Sequence, residues 1–255
     1  MSVEVLIFLA LASGFAGFVD AMAGGGGLIQ LPALLIGLPN KELPLILGTN
    51  KVPSIFGTTA AARNYFKNIK PDIPLTISMM GPAFIGSMTG AAFAAAIPKD
   101  FFKPFIVFLL ITVAIYTWRK PALGMNENLK FTHKKRLLFV ALIGLLIGFY
   151  DGIFGPGTGT FLVFFLVSGI GYAFLKASAT AKLVNIATNA GAILSFQLTG
   201  HIWWQLGLLL AFANVAGAVI GSRLAIKGGS PLVRKVFLAV IFLLIARVAW
   251  DTFIS

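Results

Sequence analysis

Gly17-Phe18-Val19-Asp20-Ala21-Met22-Ala23-Gly24-Gly25-Gly26-Gly27 returns 131 residues later as Gly148-Phe149-Tyr150-Asp151-Gly152-Ile153-Phe154-Gly155-Pro156-Gly157-Thr158. Each version is an apolar run that carries one aspartate and then breaks into glycine. Four consecutive glycines hold a helix poorly, and Pro156 removes a backbone donor from the second version. Working outward, the same offset pairs Thr49 with Thr180, Lys51 with Lys182, Gly86 with Gly217 and Gly90 with Gly221. Toward the N-terminus it pairs Leu6, Phe8, Ala10 and Leu11 with Leu137, Phe139, Ala141 and Leu142. No gap is needed. The chain reads as two copies of one unit, each keeping an acid, a base and a glycine break in apolar surroundings.

Those surroundings are membrane-like. Of 255 residues, 58% are hydrophobic and 11% charged, against roughly a quarter charged in a soluble domain. Apolar runs at 3–19, 73–97, 101–118, 137–150, 203–226 and 236–254 approach the roughly 20 residues that cross a bilayer as a helix. The expected fold is an all-α polytopic membrane protein with glycine-broken or re-entrant helices. It has two inverted repeats of about five apolar segments each. Residues 1–118 form the first transmembrane repeat, 119–136 a cytoplasmic linker and 137–255 the second repeat. Segment 28–38 and its counterpart are short, and either cross or re-enter. The N-terminal run ends in Ala21-Met22-Ala23, which resembles a signal cleavage site. It lacks a basic n-region and carries Glu4 instead. Because it is also the first helix of the repeat, it is read as retained.

The net charge of +12 would suit nucleic acid in a soluble protein. Among membrane segments the positive-inside rule accounts for it better, so the expected partners are the lipid bilayer and no nucleic acid. The cytoplasm takes Arg63, Lys67, Lys70, Lys176, Arg223, Lys227, Arg234, Lys235 and the linker's Arg119, Lys120, Lys130, Lys134, Lys135 and Arg136. Lys41, Lys99 and Lys103 are left outside. The loop with Arg63, Lys67 and Lys70 corresponds to one holding only His201, and the cluster around Gly228-Gly229 corresponds to Lys99, Asp100 and Lys103. Equivalent loops therefore fall on opposite sides, which makes the repeats inverted and both termini extracytoplasmic. Tyr116, Trp118, Trp203, Trp204 and Trp250 sit near segment ends, as interfacial aromatics do.

Three ionisable types remain inside the apolar segments, and these carry the chemistry. Unwound backbone at membrane depth persists only where protein or a water-filled cavity satisfies it. The breaks at Gly24, Gly25 and Gly26 and at Gly155, Gly157 and Thr158 expose N–H groups and the positive end of a helix dipole, which suits an anion. A close contact between helices is the structural alternative. Neither break is a phosphate-binding P-loop, because no Gly-Lys-Ser/Thr follows. Lys51 shares a helical face with Ser54 and Thr58, and Lys182 with Asn185 and Asn189. Thr49, Asn50 and Thr180 adjoin them. A lysine at the bilayer centre costs several kcal/mol unless paired or hydrated. Lys51 and Lys182 therefore serve a substrate, pair with Asp20 or Asp151, or, for Lys51, snorkel to the surface. Asp20 and Asp151 suit proton coupling or the role of counter-ion. Arg247 aligns with Tyr116 and carries little weight as a site residue. Gly86 with Gly90 and Gly217 with Gly221 are the small-residue spacing of packed membrane helices.

There is no cysteine, so thiolate chemistry is excluded. His133 and His201 are far apart, which gives a metal site little support. No hydrolytic constellation recurs in both copies. No enzyme, cofactor or metal is expected.

The segment from Gly17 to Gln30, the Gly48-Thr49-Asn50-Lys51 motif and the weaker second copy from Gly148 resemble the TauE/SafE sulfite exporter family across nearly the whole chain. The resemblance implies transport of small anions, sulfite and organosulfonates among them, across the cytoplasmic membrane of a bacterium or archaeon. The second copy departs at Ala181, which replaces Asn50, and at Gly155-Pro156-Gly157-Thr158, which replaces the glycine run. The expectation is a secondary transporter working by alternating access on a small anionic substrate, held where the two breaks meet. A passive anion channel on the same repeat and a non-transporting scaffold are the alternatives.

Overall fold

The glycine breaks set where the helices stop. In a computed structural model, which describes residues 1–94, 111, 114–115, 117–120, 122–130 and 132–253, α1 (Val3–Ala23) begins at Ser2, whose hydroxyl accepts from Val5 N–H at 3.4 Å. It ends where Gly24 (φ 77°) and Gly25 (φ 98°) enter the left-handed region, which side chains with a Cβ avoid. α2 (Gly27–Gly37), α3 (Leu43–Phe66) and α4 (Ile73–Phe93) follow. In the second half, α5 (His133–Ile153) ends just before Gly155 (φ 88°) and Gly157 (φ 87°). α6 (Thr158–Phe165) runs into a π turn, Leu166–Ile170, and α7 (Phe174–Leu198) follows. α8 (Trp204–Phe253) bends at Gly229, φ 62°. The starts of α6, α7 and α8 lie 131 residues after those of α2, α3 and α4. Most of apolar segment 101–118 with its Tyr116, the lysines Lys99 and Lys103, and the side chains of His133, Arg247 and Trp250 lie outside the described residues.

Outward faces are apolar, which suits lipid rather than water. Val3, Ile7, Leu11 and Phe15 form an exposed stripe along α1 at a spacing of four, and Leu138, Leu142 and Leu146 form one along α5. Among the described residues, three helical stretches are long and apolar enough to cross a membrane: Val3–Ala23, Lys134–Ile153 and Trp204–Leu243. Of similar length, α3 and α7 turn Thr49, Asn50, Lys51, Thr180, Lys182 and Asn185 inward, all of them buried.

Packing exchanges the halves. α1 lies along the first limb of α8, α4 lies along α5, and α3 and α7 sit between these pairs. Glycines set the approach. A Cβ on Gly86 would lie 2.2 Å from the Leu145 carbonyl oxygen, and one on Gly217 would lie 1.8 Å from that of Gly14. These two contacts are the same contact at the 131-residue offset.

Two apolar layers record the helix directions. Ile46 and Leu47, early in α3, share a layer with Ala192 and Phe196, late in α7. Tyr65, at the end of α3, shares the other layer with Phe174 and Ala177 at the start of α7. So α3 and α7 run in opposite directions. α2 turns back along α1: Gly26 faces Ala16, and Gly37 faces Leu9. With 11 residues it is about 16 Å long, half of a hydrocarbon core of roughly 30 Å. It is a half-helix returning along α1, not a separate crossing.

The basic connections gather at one end. The Tyr172 hydroxyl donates to Asp72 Oδ2 at 3.3 Å, Asn128 N–H to the Gly171 carbonyl at 2.8 Å and Leu175 N–H to Ser230 Oγ at 3.2 Å. Lys67, Arg223 and Lys227 line a cleft beside them. Burial, and then the Asp72 carboxylate, push the Tyr172 phenol above its ordinary value, so it remains a donor at neutral pH.

Glycine packing yields a stability test. Gly217→Ala is expected to destabilise by about 1–3 kcal/mol through overpacking. At Gly81 a Cβ meets nothing within 4 Å, so Gly81→Ala is expected to be neutral or stabilising by up to about 1 kcal/mol. Thermal unfolding of the detergent-purified variants measures both. Equal effects would show that close helix approach does not limit stability.

Candidate functional site

The two glycine breaks lie against each other. A Cβ on Gly24 would sit 2.3 Å from the Gly159 carbonyl carbon, and one on Gly159 would sit 2.8 Å from Gly24 Cα. Backbone meets backbone there, which only glycine permits. Gly27 lies over Pro156, with a Cβ contact of 3.4 Å. The free ends of α1 and α5, and the starts of α2 and α6, are thereby brought to one place.

The lysines cross between the halves. Lys51 Nζ lies 2.8 Å from Asp151 Oδ2 and donates to the Asp151 carbonyl at 2.7 Å. Lys182 Nζ lies 2.8 Å from Asp20 Oδ2 and also donates to the Asp20 carbonyl. Each lysine thus clamps the last turn of a helix from the other copy. It meets the carboxylate there and the negative end of the helix dipole together. Lys51 is 3% exposed and does not snorkel. The aspartates differ: the Asp151 side chain is 3% exposed and that of Asp20 is 18%. Asp20 also accepts from Gly26 N–H at 3.4 Å and from the Thr58 hydroxyl at 3.5 Å.

Beside these pairs is a small cavity, flanked along α3 by Leu47 in one apolar layer and Tyr65 in the other. The space open to the centre of a water molecule is about 30 Å³, room for roughly two waters. Its wall contains Gly25, Gly26, Asn50, Lys51, Gly155, Gly157, Thr158, Asn185, Asp20 and Asp151. Four residues expected at the site from sequence are not on the wall. Gly24 is spent on the contact with Gly159. Thr49 accepts from Trp203 N–H at 2.9 Å and anchors the start of α8. Thr180 is fully buried. Lys182 is fully buried behind Asp20.

The wall also holds polar side chains outside that expected set: Gln30, Ser54, Thr58, Asn189 and Asn214. Ser54, Thr58 and Asn189 share the lysine faces, so helical spacing alone points to them. Gln30 and Asn214 have no polar counterpart at the offset, where Phe161 and Ala83 stand. A search for repeated polar residues passes over both. Among the described residues, no group of three or more His, Cys, Asp or Glu is placed to hold a metal.

Breaking one buried pair should cost more than removing it. Lys182→Met leaves Asp20 unpaired and is expected to destabilise by about 3–5 kcal/mol. The double variant Lys182→Met/Asp20→Leu is expected to recover most of that loss. Equal unfolding temperatures for the single variant and the wild type would show that the pair is not a structural clamp.

With this geometry in place, the comparisons are informative. The family model for sulfite exporter TauE/SafE matches residues 9–248. "Probable membrane transporter protein ORF9" of Sinorhizobium sp is 37% identical, over 98% of this chain and 95% of its own length. "Probable membrane transporter protein YfcA" of Escherichia coli K12 is 34% identical, over 97% of this chain and 90% of its own. A "Probable membrane transporter protein" of Haemophilus influenzae is 31% identical, over 98% of this chain and 97% of its own. No solved structure matches the chain. The chain belongs to the sulfite exporter TauE/SafE family and is a multi-pass membrane transporter.

Proposed function

We propose that this chain is a secondary transporter that moves a small anion, sulfite or an organosulfonate, across the cytoplasmic membrane by alternating access. The observation that carries the reading is the cavity wall, where the N-termini of α2 and α6 and a buried lysine face one space. Helix N-termini and a lysine favour negative charge. The amides of Gln30, Asn50, Asn185, Asn189 and Asn214 add neutral hydrogen-bonding groups. The family description supports sulfur oxyanions as the substrate class. Asp20, the more exposed carboxylate, is the better candidate for the proton-coupling role, and Asp151 for a fixed counter-ion.

Alternating access needs two gates related by symmetry. The opposite directions of α3 and α7 support inverted repeats, and the basic end carrying the linker is then cytoplasmic. Rocking one half against the other would open the Lys–Asp pairs in turn, each pair lying between the halves.

Flux in proteoliposomes loaded with sulfite tests the reading. The folded double variant Lys51→Met/Asp151→Leu is expected to lose at least about ten-fold in flux, because a charge-assisted contact is worth roughly 1.5–3 kcal/mol. Full flux in that variant would remove Lys51 from the substrate path. Channel-like conductance in planar bilayers would defeat alternating access. Single cysteines at Asn68 and Thr199 are expected to react with impermeant maleimide from opposite sides. Reaction from one side would sink the inversion.

A further inference from the structure

We propose that the cavity seats one anion on one side only, in a socket where Gln30 and Asn50 of the first copy meet Asn214 of the second, and that the Gln30 amide is the group that selects it. This rests on the anion-transport reading above. Gln30 stands on α2, is 2% exposed and lines the cavity. Its orientation is set by a chain of partners. Asn214 Nδ2 donates to the Ser13 carbonyl at 3.0 Å, and a carbonyl can only accept. The same nitrogen lies 2.9 Å from Gln30, so the Gln30 atom it meets must be the oxygen, Oε1. The Gln30 Nε2 is thereby left with no hydrogen-bond partner among the described residues.

Buried amide donors are rarely left unpaired in a native protein. Here the unpaired donor belongs to a residue of the cavity wall that Lys51 and the start of α2 also line. An oxyanion in the cavity supplies the missing acceptor. The network is built in, because Asn214 fits only where its neighbours lack side chains. A Cβ on Gly57 would lie 1.8 Å from Asn214 Oδ1, and one on Gly17 would lie 2.8 Å from it.

None of this recurs at the mirrored positions. At the 131-residue offset, Ser13, Gln30 and Asn50 become Gly144, Phe161 and Ala181, and Asn214 corresponds to Ala83. Phe161 is 3% exposed in the larger apolar core, with its ring 5.5 Å from that of Tyr150. A mirrored socket is therefore filled with hydrocarbon. The unequal exposure of Asp20 and Asp151 points to the same side. Two carboxamides in series, with one N–H pair presented to the ligand, suit a ligand rich in acceptor oxygens. Sulfite and the sulfonate headgroup match that chemistry, and halides match it less well.

Calorimetric titration of the purified wild type, Gln30→Glu and Gln30→Met with sodium sulfite, sodium sulfoacetate and sodium chloride tests this. The wild type is expected to bind one oxyanion per chain and to prefer both sulfur oxyanions over chloride. Gln30→Glu keeps an acceptor for Asn214 but replaces the donor with a carboxylate, and is expected to weaken sulfite binding by at least about 100-fold. Gln30→Met is expected to weaken it by about ten-fold. Unfolding temperatures of the ligand-free variants show whether each is folded. Two anions per chain, or wild-type affinity in both variants, would overturn the proposal while leaving anion transport standing. A wild type that binds no anion in the panel would overturn the transport reading itself, and the socket with it.

Discussion

The frame depends on two lysines that each reach across to the other half of the molecule. Lys51 and Lys182 bind the side chain and the last-turn carbonyl of Asp151 and Asp20. Removing charges from water costs several kcal/mol per ion, so each ion requires its partner, and each partner lies in the other copy. The halves are thereby tied together at their most polar point. The glycine breaks follow from the same constraint. The helix ends must come within lysine reach while the two backbones pass each other at van der Waals distance, and a Cβ at Gly24 or Gly159 would prevent that.

Around this clamp the backbone keeps the exchange symmetry while the side chains depart from it. Gly86 on Leu145 and Gly217 on Gly14 are one contact made twice. Inside the cavity the symmetry is lost, with Gln30, Asn50 and Asn214 set against Phe161, Ala181 and Ala83. The asymmetry is thus confined to side chains at the centre of a frame whose helix contacts repeat.

Much of the frame was legible in the sequence because it is written twice. The helix breaks, the buried acid and base, and the packing glycines each recur at one offset, and local glycine conformation accounts for the breaks without tertiary information. The candidate site was legible in part. Asp20, Lys51, Asn50, Asn185, Gly25, Gly26, Gly155 and Gly157 line the cavity, while Gly24 meets Gly159 instead. Thr49 turned out to hold the start of α8 through Trp203, and Lys182 to sit behind Asp20. A threonine or lysine in an apolar helix announces only that it needs a partner. Whether that partner is a ligand, a carboxylate or a backbone N–H depends on which helix packs beside it.

By itself, then, the sequence determined a membrane protein whose two halves carry charge and glycine at matched positions, because hydropathy, helix-breaking and charge placement act within a segment or along its flanks. Only the tertiary structure decided that each lysine pairs with the aspartate of the opposite copy, that α2 is a half-helix turning back along α1, and that Asn214 orients Gln30 at the cavity wall. These depend on approach distances between helices far apart in the chain, set by which side chains are missing at Gly17, Gly57, Gly86 and Gly217. No local rule of the chain encodes which distant helix fills the space that a glycine leaves.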